Sequence, residues 1–381
     1  MLNFDRENTG LIAKWWRNVD KQILFLFIFL LFLGLFFSFS STTSVMSEKM
    51  NKQTYFFFIK HLIFVSMSLF LIFVISIQEK ERLIKILTYL FILSAVLLFL
   101  TLVIGVEIKG SRRWMDLGPF PRFQPVELLK PLFIIFIAKI IVLNEKIDIY
   151  KRYFYSFVIL LIIVTILINQ PDLGQTLLLT LTWITMIFVS GFNMLILTLL
   201  GLIFVSMIAL LIFFLPEKFG YVFLRIKTFL DPKAGDNFQS QKALDTIKQG
   251  GLTGQGMGEG VLKDKVPEAH TDYIIAVISE EFGAIFVLFI VMIFLFIGYK
   301  VINKVFSGNN EFLKLALVGL ISLLIIQTFI HIGVNIRLFP TTGMTLPFLS
   351  YGGSSLIGSS IIAGIILNFT RKDSVRYFKN E

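Results

Sequence analysis

Long apolar runs alternate along this chain with shorter polar segments, and the length of those runs sets the first expectation. A helix rises about 1.5 Å per residue, so about 20 mostly apolar residues cross the hydrocarbon layer of a bilayer. Ten segments qualify: Ile23 to Ser40, Leu62 to Ile77, Ile86 to Gly105, Val126 to Leu143, Phe154 to Asn169, Leu173 to Ser190, Met194 to Leu215, Asp272 to Tyr299, Leu315 to Val334 and Ser354 to Thr370. The stretch from Leu173 to Pro216 runs for 44 residues without a charge, too long for one crossing, and Ser190-Gly191-Phe192-Asn193 is the polar turn that divides it. The predicted fold is all-α, a polytopic integral membrane protein. Ten transmembrane helices occupy 23–370, tails occupy 1–22 and 371–381, and a long extracytoplasmic loop, 216–271, joins helices 7 and 8.

An even number of crossings puts both termini on one side. The short loops and tails of that side hold more Lys and Arg than the short loops opposite, once the long loop is set aside because long loops obey the positive-inside rule poorly. Cytoplasmic termini are expected. The other face carries the long loops and nine of the ten prolines, with Pro131 just inside a span on the same side. Pro and Gly fix turns and rigid backbone, so the working loops are expected on the extracytoplasmic face.

Composition agrees and adds exclusions. With 381 residues, 56% hydrophobic, 16% charged and a mean hydropathy of +0.82, a water-soluble core is ruled out. The absence of cysteine excludes disulfides, a thiol nucleophile and Cys-ligated metal. A net charge of +10 is accounted for by cytoplasmic basic residues or contact with anionic lipid, and nucleic acid is not expected as a partner. The polar, Trp-rich segment Met1 to Lys21 precedes an apolar run that reads as a retained span, not a cleaved signal peptide.

Three outer loops concentrate the polar chemistry. In the first, Gly110 to Lys130, Arg113 beside Trp114 pairs a phosphate-binding fork with an aromatic plate, and Glu127 and Lys130 stand at i, i+3 on the opening turn of a helix. An interfacial aromatic belt with a surface ion pair accounts for the same residues equally well. The second holds the glycine run Gly250 to Gly260, then Lys263, Lys265 and Pro267-Glu268-Ala269-His270-Thr271-Asp272. No strand precedes the glycines and no Lys-Ser/Thr closes them, so they read as turns, not a nucleotide loop. Asp272 stands where this loop enters an apolar helix, as a helix cap or as a general base at the boundary. The third, Asn335 to Ser355, ends in Gly352, Gly353, Ser354 and Ser355, which permit close helix approach or an anion site at a helix start. Lys60 with His61, Lys139, Asp172, Glu280 with Glu281, and His331 fall within or at the ends of spans, where charge is costly. Glu280 and Glu281 lie roughly 12 Å past Asp272 along a helix, too far to share its reacting centre, and are expected to hold a buried cation or backbone donors.

The run Pro267 to Gly283, the Arg113-Trp114 loop ending in Gln124-Pro125-Val126-Glu127-Leu128-Leu129-Lys130, the segment Gln170-Pro171-Asp172-Leu173-Gly174 and the Asn335 to Ser355 block together resemble the SEDS family (shape, elongation, division and sporulation; FtsW/RodA/SpoVE), nearer its cell-division branch. The resemblance implies a peptidoglycan glycosyltransferase of the bacterial cytoplasmic membrane, at the division septum, polymerising lipid II. Asp272 is then the catalytic residue. Arg113, Lys60, Lys130, Lys263 and Lys265 are candidate cations for the lipid diphosphate, and Trp114, Gln124, Glu127, Asp172, His270 and Ser354 are further substrate-binding candidates. Cations, or a divalent magnesium or manganese ion, can take the place of a general acid on so acidic a leaving group. The implied partners are lipid II, the nascent glycan strand, a class B penicillin-binding protein (the FtsI-like septal transpeptidase) and other divisome membrane proteins. Departures from the family pattern are Val126, Gly260, Leu262, Tyr273-Ile274-Ile275 and the Lys60-His61 pair. A lipid II flippase and a non-catalytic divisome scaffold are the alternative readings. Against the first, no internal repeat or pair of broken spans is visible.

Overall fold

The computed structural model describes residues 10–42, 56–108, 110–116, 118, 121–143, 146–193, 195–199, 201–202, 206, 216–231 and 237–372. Its helices are α1 (Leu11–Asn18), α2 (Lys21–Thr42), α3 (Phe56–Ile77), α4 (Lys80–Ile104), α5 (Pro125–Val142), α6 (Ile149–Asn169), α7 (Leu173–Val189), α8 (Pro216–Leu230), α9 (Phe238–Gly250), α10 (Ile274–Ser307), α11 (Glu311–Asn335) and α12 (Gly353–Thr370). Among the described residues seven helices are long and apolar enough to cross a membrane: α2, α3, α4, α6, α10, α11 and α12. Two further expected spans form shorter or more charged helices, α7 with 17 residues and α5 with Glu127, Lys130 and Lys139 in its 18. Most of the expected span from Met194 to Leu215 lies outside the described residues.

Burial sorts the helices into a centre and a rim. In α12 89% of the crossing residues are buried and in α11 67%, against 22% in α3 and 28% in α4. With α5, buried along nearly its whole length, α11 and α12 form the centre. The rim turns Phe25, Phe32, Phe70, Phe99 and Phe154 outward, and lipid tails are the solvent that makes this apolar surface stable. Buried hydroxyls turn back on their own helices, as Thr182 does to the Leu178 carbonyl and Thr328 to that of Leu324, both at 2.8 Å.

The structure departs from the sequence expectation in three places. The first outer loop carries a hairpin that the all-α expectation did not include: β1 (Val106–Ile108) and β2 (Ser111–Trp114) pair antiparallel, and Met115 bridges Phe123. The long loop is largely helical, carrying α8, α9 and a 3-10 turn at Lys263–Lys265. Helix α10 is broken at Gly283, whose φ of 81° and ψ of 172° are not helical. The part beyond the break rises about 36 Å, long enough to cross alone, so the expected span from Asp272 to Tyr299 is two helical pieces and not one continuous helix. Residues 274–282 are a separate, buried half-helix.

The glycine run makes that break possible. Gln255 N–H donates to the Glu280 carbonyl at 2.8 Å and Gly256 N–H to that of Glu281 at 3.0 Å, while Ala284 N–H donates to the Gly251 carbonyl at 3.0 Å. Groups freed by the interrupted helix are thus satisfied by the loop. The approach leaves no room for side chains: a Cβ on Gly283 would stand 2.2 Å from the Leu252 carbonyl oxygen, and one on Gly254 2.2 Å from that of Glu281.

Candidate active site

Asp272 sits at the head of the half-helix. The N-cap is Tyr273, so Asp272 stands one residue outside the helix and does not occupy the cap position that was one of its two expected roles. It is half-buried. Its main-chain N–H donates to the Glu268 carbonyl at 3.1 Å and its carbonyl accepts the Asn335 side-chain amide at 3.1 Å. Its Oδ2 lies 3.5 Å from the position a Cβ on Gly343 would take. Two loops therefore frame this carboxylate. They are stitched together by Ser350 Oγ donating to the Thr271 carbonyl at 2.7 Å and Tyr351 N–H donating to the His270 carbonyl at 2.9 Å. Glu268, Arg337 and Phe348, all in these loops, hold left-handed backbone with φ of 58°, 57° and 65°. Such conformations cost of order 1–3 kcal/mol each and persist where surrounding structure imposes them.

Burial shifts three ionisable neighbours toward their neutral forms. Burial pushes the Tyr273 hydroxyl up, and the Asp272 charge adds to that shift. Burial likewise raises Tyr351. It lowers His270 against the opposing pull of Glu268. Asp272 is flanked by neutral hydrogen-bonding groups on both sides along the chain.

The other predicted residues fall into separate groups. Arg113, on β2, donates its Nε to the Gln170 carbonyl at 3.1 Å, reaches the Pro171 carbonyl with Nη2, and lies 3.6 Å from Asp172. Asp172 caps α7 by accepting from Gln175 N–H, and burial raises its carboxyl despite Arg113. Trp114 is half-buried beside them, paired with Val106 across the hairpin. Gln124 precedes α5 and donates its main-chain N–H to Ser354 Oγ at 3.0 Å, so Ser354 serves that helix start. Glu127 and Lys130 pair at 2.8 Å, with Lys130 also bonded to Gln327 at 3.1 Å and Glu127 to Gln175 at 2.9 Å. Lys263 is buried with its ammonium on Glu281, and Glu280 accepts the N–H groups of Leu262 and Lys263 at 2.8 and 2.7 Å. The glutamates therefore hold a cation and backbone donors, as their depth along the chain implied. Lys265 is exposed at the end of the 3-10 turn, and Lys60 is half-buried on α3. Its neighbour His61 is fully buried with its ring 5.6 Å from that of Tyr351, and the His270 ring lies 5.7 Å from the same tyrosine.

The family described as "Cell cycle protein" (FtsW/RodA/SpoVE) matches residues 21–375. The chain belongs to this family. "Probable peptidoglycan glycosyltransferase FtsW" of Caulobacter vibrioides (strain NA1000 / CB15N) is 32% identical over 371 residues, covering 97% of this chain and 93% of that protein. The protein of the same description from Haemophilus ducreyi (strain 35000HP / ATCC 700724) is 33% identical over 360 residues, covering 91% and 88%. Among solved structures, one described as "Structural coordination of polymerization and crosslinking by a peptidoglycan synthase complex" aligns with a TM-score of 0.73 at 25% identity, over 92% of this chain and 97% of that one. Rod shape determining protein RodA of Thermus thermophilus aligns with a TM-score of 0.68 at 25% identity, over 93% and 97%. This FtsW/RodA/SpoVE member is a multi-pass membrane protein, and the two loops that frame Asp272 form its candidate site.

Sequence reading missed Asn335 as the support of Asp272, Gln175 as the donor to Glu127, Gln327 as the acceptor for Lys130, and Arg225. The last is on α8, donates Nη1 to the Thr341 carbonyl at 3.1 Å, and is close enough to act on both Asp172 and Tyr273. Its only sequence signal is a basic residue in an amphipathic stretch of the long loop. No three of His, Cys, Asp and Glu converge among the described residues, so these side chains do not fit a protein-built cage for magnesium or manganese.

Proposed function

We propose that this chain is a peptidoglycan glycosyltransferase that polymerises lipid II into β-1,4 glycan strands during septal wall synthesis. The observation that carries the proposal is Asp272, a half-buried carboxylate on a rigid double-loop frame at the outer end of a buried half-helix. Asp272 takes the proton of the acceptor sugar's 4-hydroxyl, and that oxygen attacks the anomeric carbon of the donor. The bond to the lipid diphosphate breaks on the opposite face, and undecaprenyl diphosphate leaves with the electron pair. An α-linked donor becomes a β-linked product in a single displacement. Such inversion needs one base here, because a diphosphate is a good leaving group without a second carboxylate. Tyr273 and His270 contribute neutral hydrogen-bonding groups, and the frame excludes part of the solvent around the base.

The wider setting belongs to the same proposal: ten crossings, cytoplasmic termini, a septal location in the inner membrane, and assembly with a class B penicillin-binding protein and other divisome proteins. The likeness to a chain from a peptidoglycan synthase complex supports the partnership.

The test is purification in detergent with the cognate class B penicillin-binding protein and incubation with labelled lipid II. Polymer is expected from the wild type and none from Asp272→Asn. Full activity in that variant would remove Asp272 from the mechanism. Lipid II flipping in proteoliposomes that survives Asp272→Asn, with no polymer from the wild type, would favour the transporter reading.

A further inference from the structure

The third outer loop contains an irregular stretch, Thr341 to Leu346, whose main-chain groups have no helix or strand to pair within. Buried carbonyls need donors, and α11 supplies them. Gln327 Nε2 donates to the Thr345 carbonyl at 2.9 Å, His331 Nδ1 stands 2.7 Å from the Met344 carbonyl, and the Asn335 amide donates to that of Asp272 at 3.1 Å. A spacing of four residues puts the three side chains on one face of the helix, about 6 Å apart along its axis. Thr345 and Met344 are taken in reverse chain order, so the stretch runs antiparallel to α11. The next residue in that direction is Gly343, where a Cβ would face the Asp272 carboxylate. The next side chain along the helix is Asn335, which holds the Asp272 main chain. One helix face thus sets both sides of the contact between Gly343 and Asp272.

His331 is the middle of the three, and its chemistry is restricted. A carbonyl oxygen only accepts, so Nδ1 carries the proton and Nε2 a lone pair. That Nε2 is buried with no partner among the described residues. A leucine here would bury without leaving a polar atom unpaired, so what the histidine adds is its bond to Met344. The start of α7 closes the other side of the stretch: a Cβ on Gly174 would stand 2.9 Å from Thr342 Cβ and 3.0 Å from Met344 Cγ. Met344 is buried and Gly343 is exposed. Pinning the first therefore presents the second to the open side of the site.

We propose that His331 is a positioning residue for Asp272: through the Met344 carbonyl it fixes Gly343 against the carboxylate and keeps the base in line with the acceptor hydroxyl. The inference rests on the glycosyltransferase reading and deepens it. The ring exchanges no proton in the reaction; Nδ1–H stays on the Met344 carbonyl while the hydroxyl proton goes to Asp272.

Two amide side chains separate this bond from packing. Asparagine places its amide nitrogen where the ring Nδ1 stands, and glutamine places it nearer the ring Nε2. Full-length His331→Asn, His331→Gln and His331→Leu are compared in detergent for elution and for polymer formation from labelled lipid II with the class B penicillin-binding protein. Hydrogen–deuterium exchange of the main-chain amides of 270–273 and 342–351 is measured on the same samples and needs no turnover. His331→Gln and His331→Leu are expected to lower the maximal rate roughly 10- to 100-fold with little change in KM. In both, exchange in the two segments is expected to rise at least about 10-fold. His331→Asn is expected to elute as wild type and to keep rate and protection within about 3-fold, because its amide supplies the same donor. Packing alone predicts the opposite order, since glutamine and leucine fill the site better than asparagine. Wild-type behaviour of His331→Gln and His331→Leu, equal losses in all three variants, or a raised KM at unchanged maximal rate each overturns the inference and leaves the glycosyltransferase reading standing. Protection that only His331→Asn preserves, in a protein that makes no polymer, keeps the positioning role and overturns the reading.

Discussion

Asn335 and Asp272 are joined through the main chain: the buried Asn335 amide donates to the Asp272 carbonyl at 3.1 Å and to the His331 carbonyl, one turn back on α11, at 2.8 Å. The end of a central helix thereby fixes where the carboxylate starts. A displacement of about 1 Å at a reacting group costs on the order of 100-fold in rate. Asn335→Ala and the nearly isosteric Asn335→Asp, which lacks the donor, are expected to lower polymer formation roughly 10- to 100-fold at saturating lipid II. Little change in KM is expected. A variant with a raised KM and an unchanged maximal rate would place Asn335 in substrate binding instead.

Lys263 and Glu281 are an ion pair closed off from solvent, with Lys263 7% exposed and Glu281 1%. Removing Lys263 takes the buried cation from Glu281, which keeps the Gly258 N–H at 3.3 Å but loses its ion pair. Lys263→Met is expected to destabilise the protein by about 3–5 kcal/mol, and the double variant Lys263→Met with Glu281→Leu to recover most of that loss. Thermal unfolding in detergent measures both. Equal stability of wild type and Lys263→Met would mean that Lys263 is available to substrate, as the sequence alone suggests.

The apolar runs predict the membrane helices well because lipid imposes one requirement on every residue between the interfaces. The observed helices start earlier than the runs, α3 at Phe56, α4 at Lys80 and α6 at Ile149, since a helix continues through polar turns such as Lys80-Glu81-Arg82 that hydropathy excludes. The break in α10 is hidden for the opposite reason: Gly283 lies in a run that is helical by composition, and its partners are glycines about thirty positions earlier. The β1–β2 hairpin is also illegible, because it has no alternating apolar face and Arg113 ties it to a carbonyl 57 positions away. For the site, Asp272 and His270 stand out by residue type and by their place at a loop–helix junction. Lys130 and Lys263 resemble substrate cations in sequence only because Gln327 and Glu281, which hold them, are distant along the chain.

Gly283 turns the chain between half-helix and crossing with φ 81°, and a Cβ there would meet the Leu252 carbonyl oxygen at 2.2 Å. Backbone cannot yield as a side-chain tip can. Gly283→Ala is expected to cost at least about 1–3 kcal/mol and to reduce polymer formation, because the half-helix carrying Asp272 must shift. Gly298→Ala in the same helix is the control, since its Cβ would meet mainly the Ile325 Cδ1 methyl. Indistinguishable unfolding curves for the two variants would contradict the break.

His270 gives the frame a pH dependence whose sign follows from its burial. Its ring lies under Tyr351, and burial holds its pKa below the ordinary 6.5 against the opposing charge of Glu268. Below pH about 6.5 the unfolded chain binds a proton at this position that the folded state resists, so the histidine's contribution is full above that pH and is lost as pH falls. The wild type is therefore expected to lose thermal stability between pH 7.5 and pH 5.5. His270→Gln, which keeps a polar side chain but cannot titrate, is expected to show a flatter slope over the same range. Other titrating groups contribute equally to both proteins, so the difference between the slopes isolates His270. Parallel slopes would assign the titration elsewhere, and a steeper slope in His270→Gln would reverse the sign argued here.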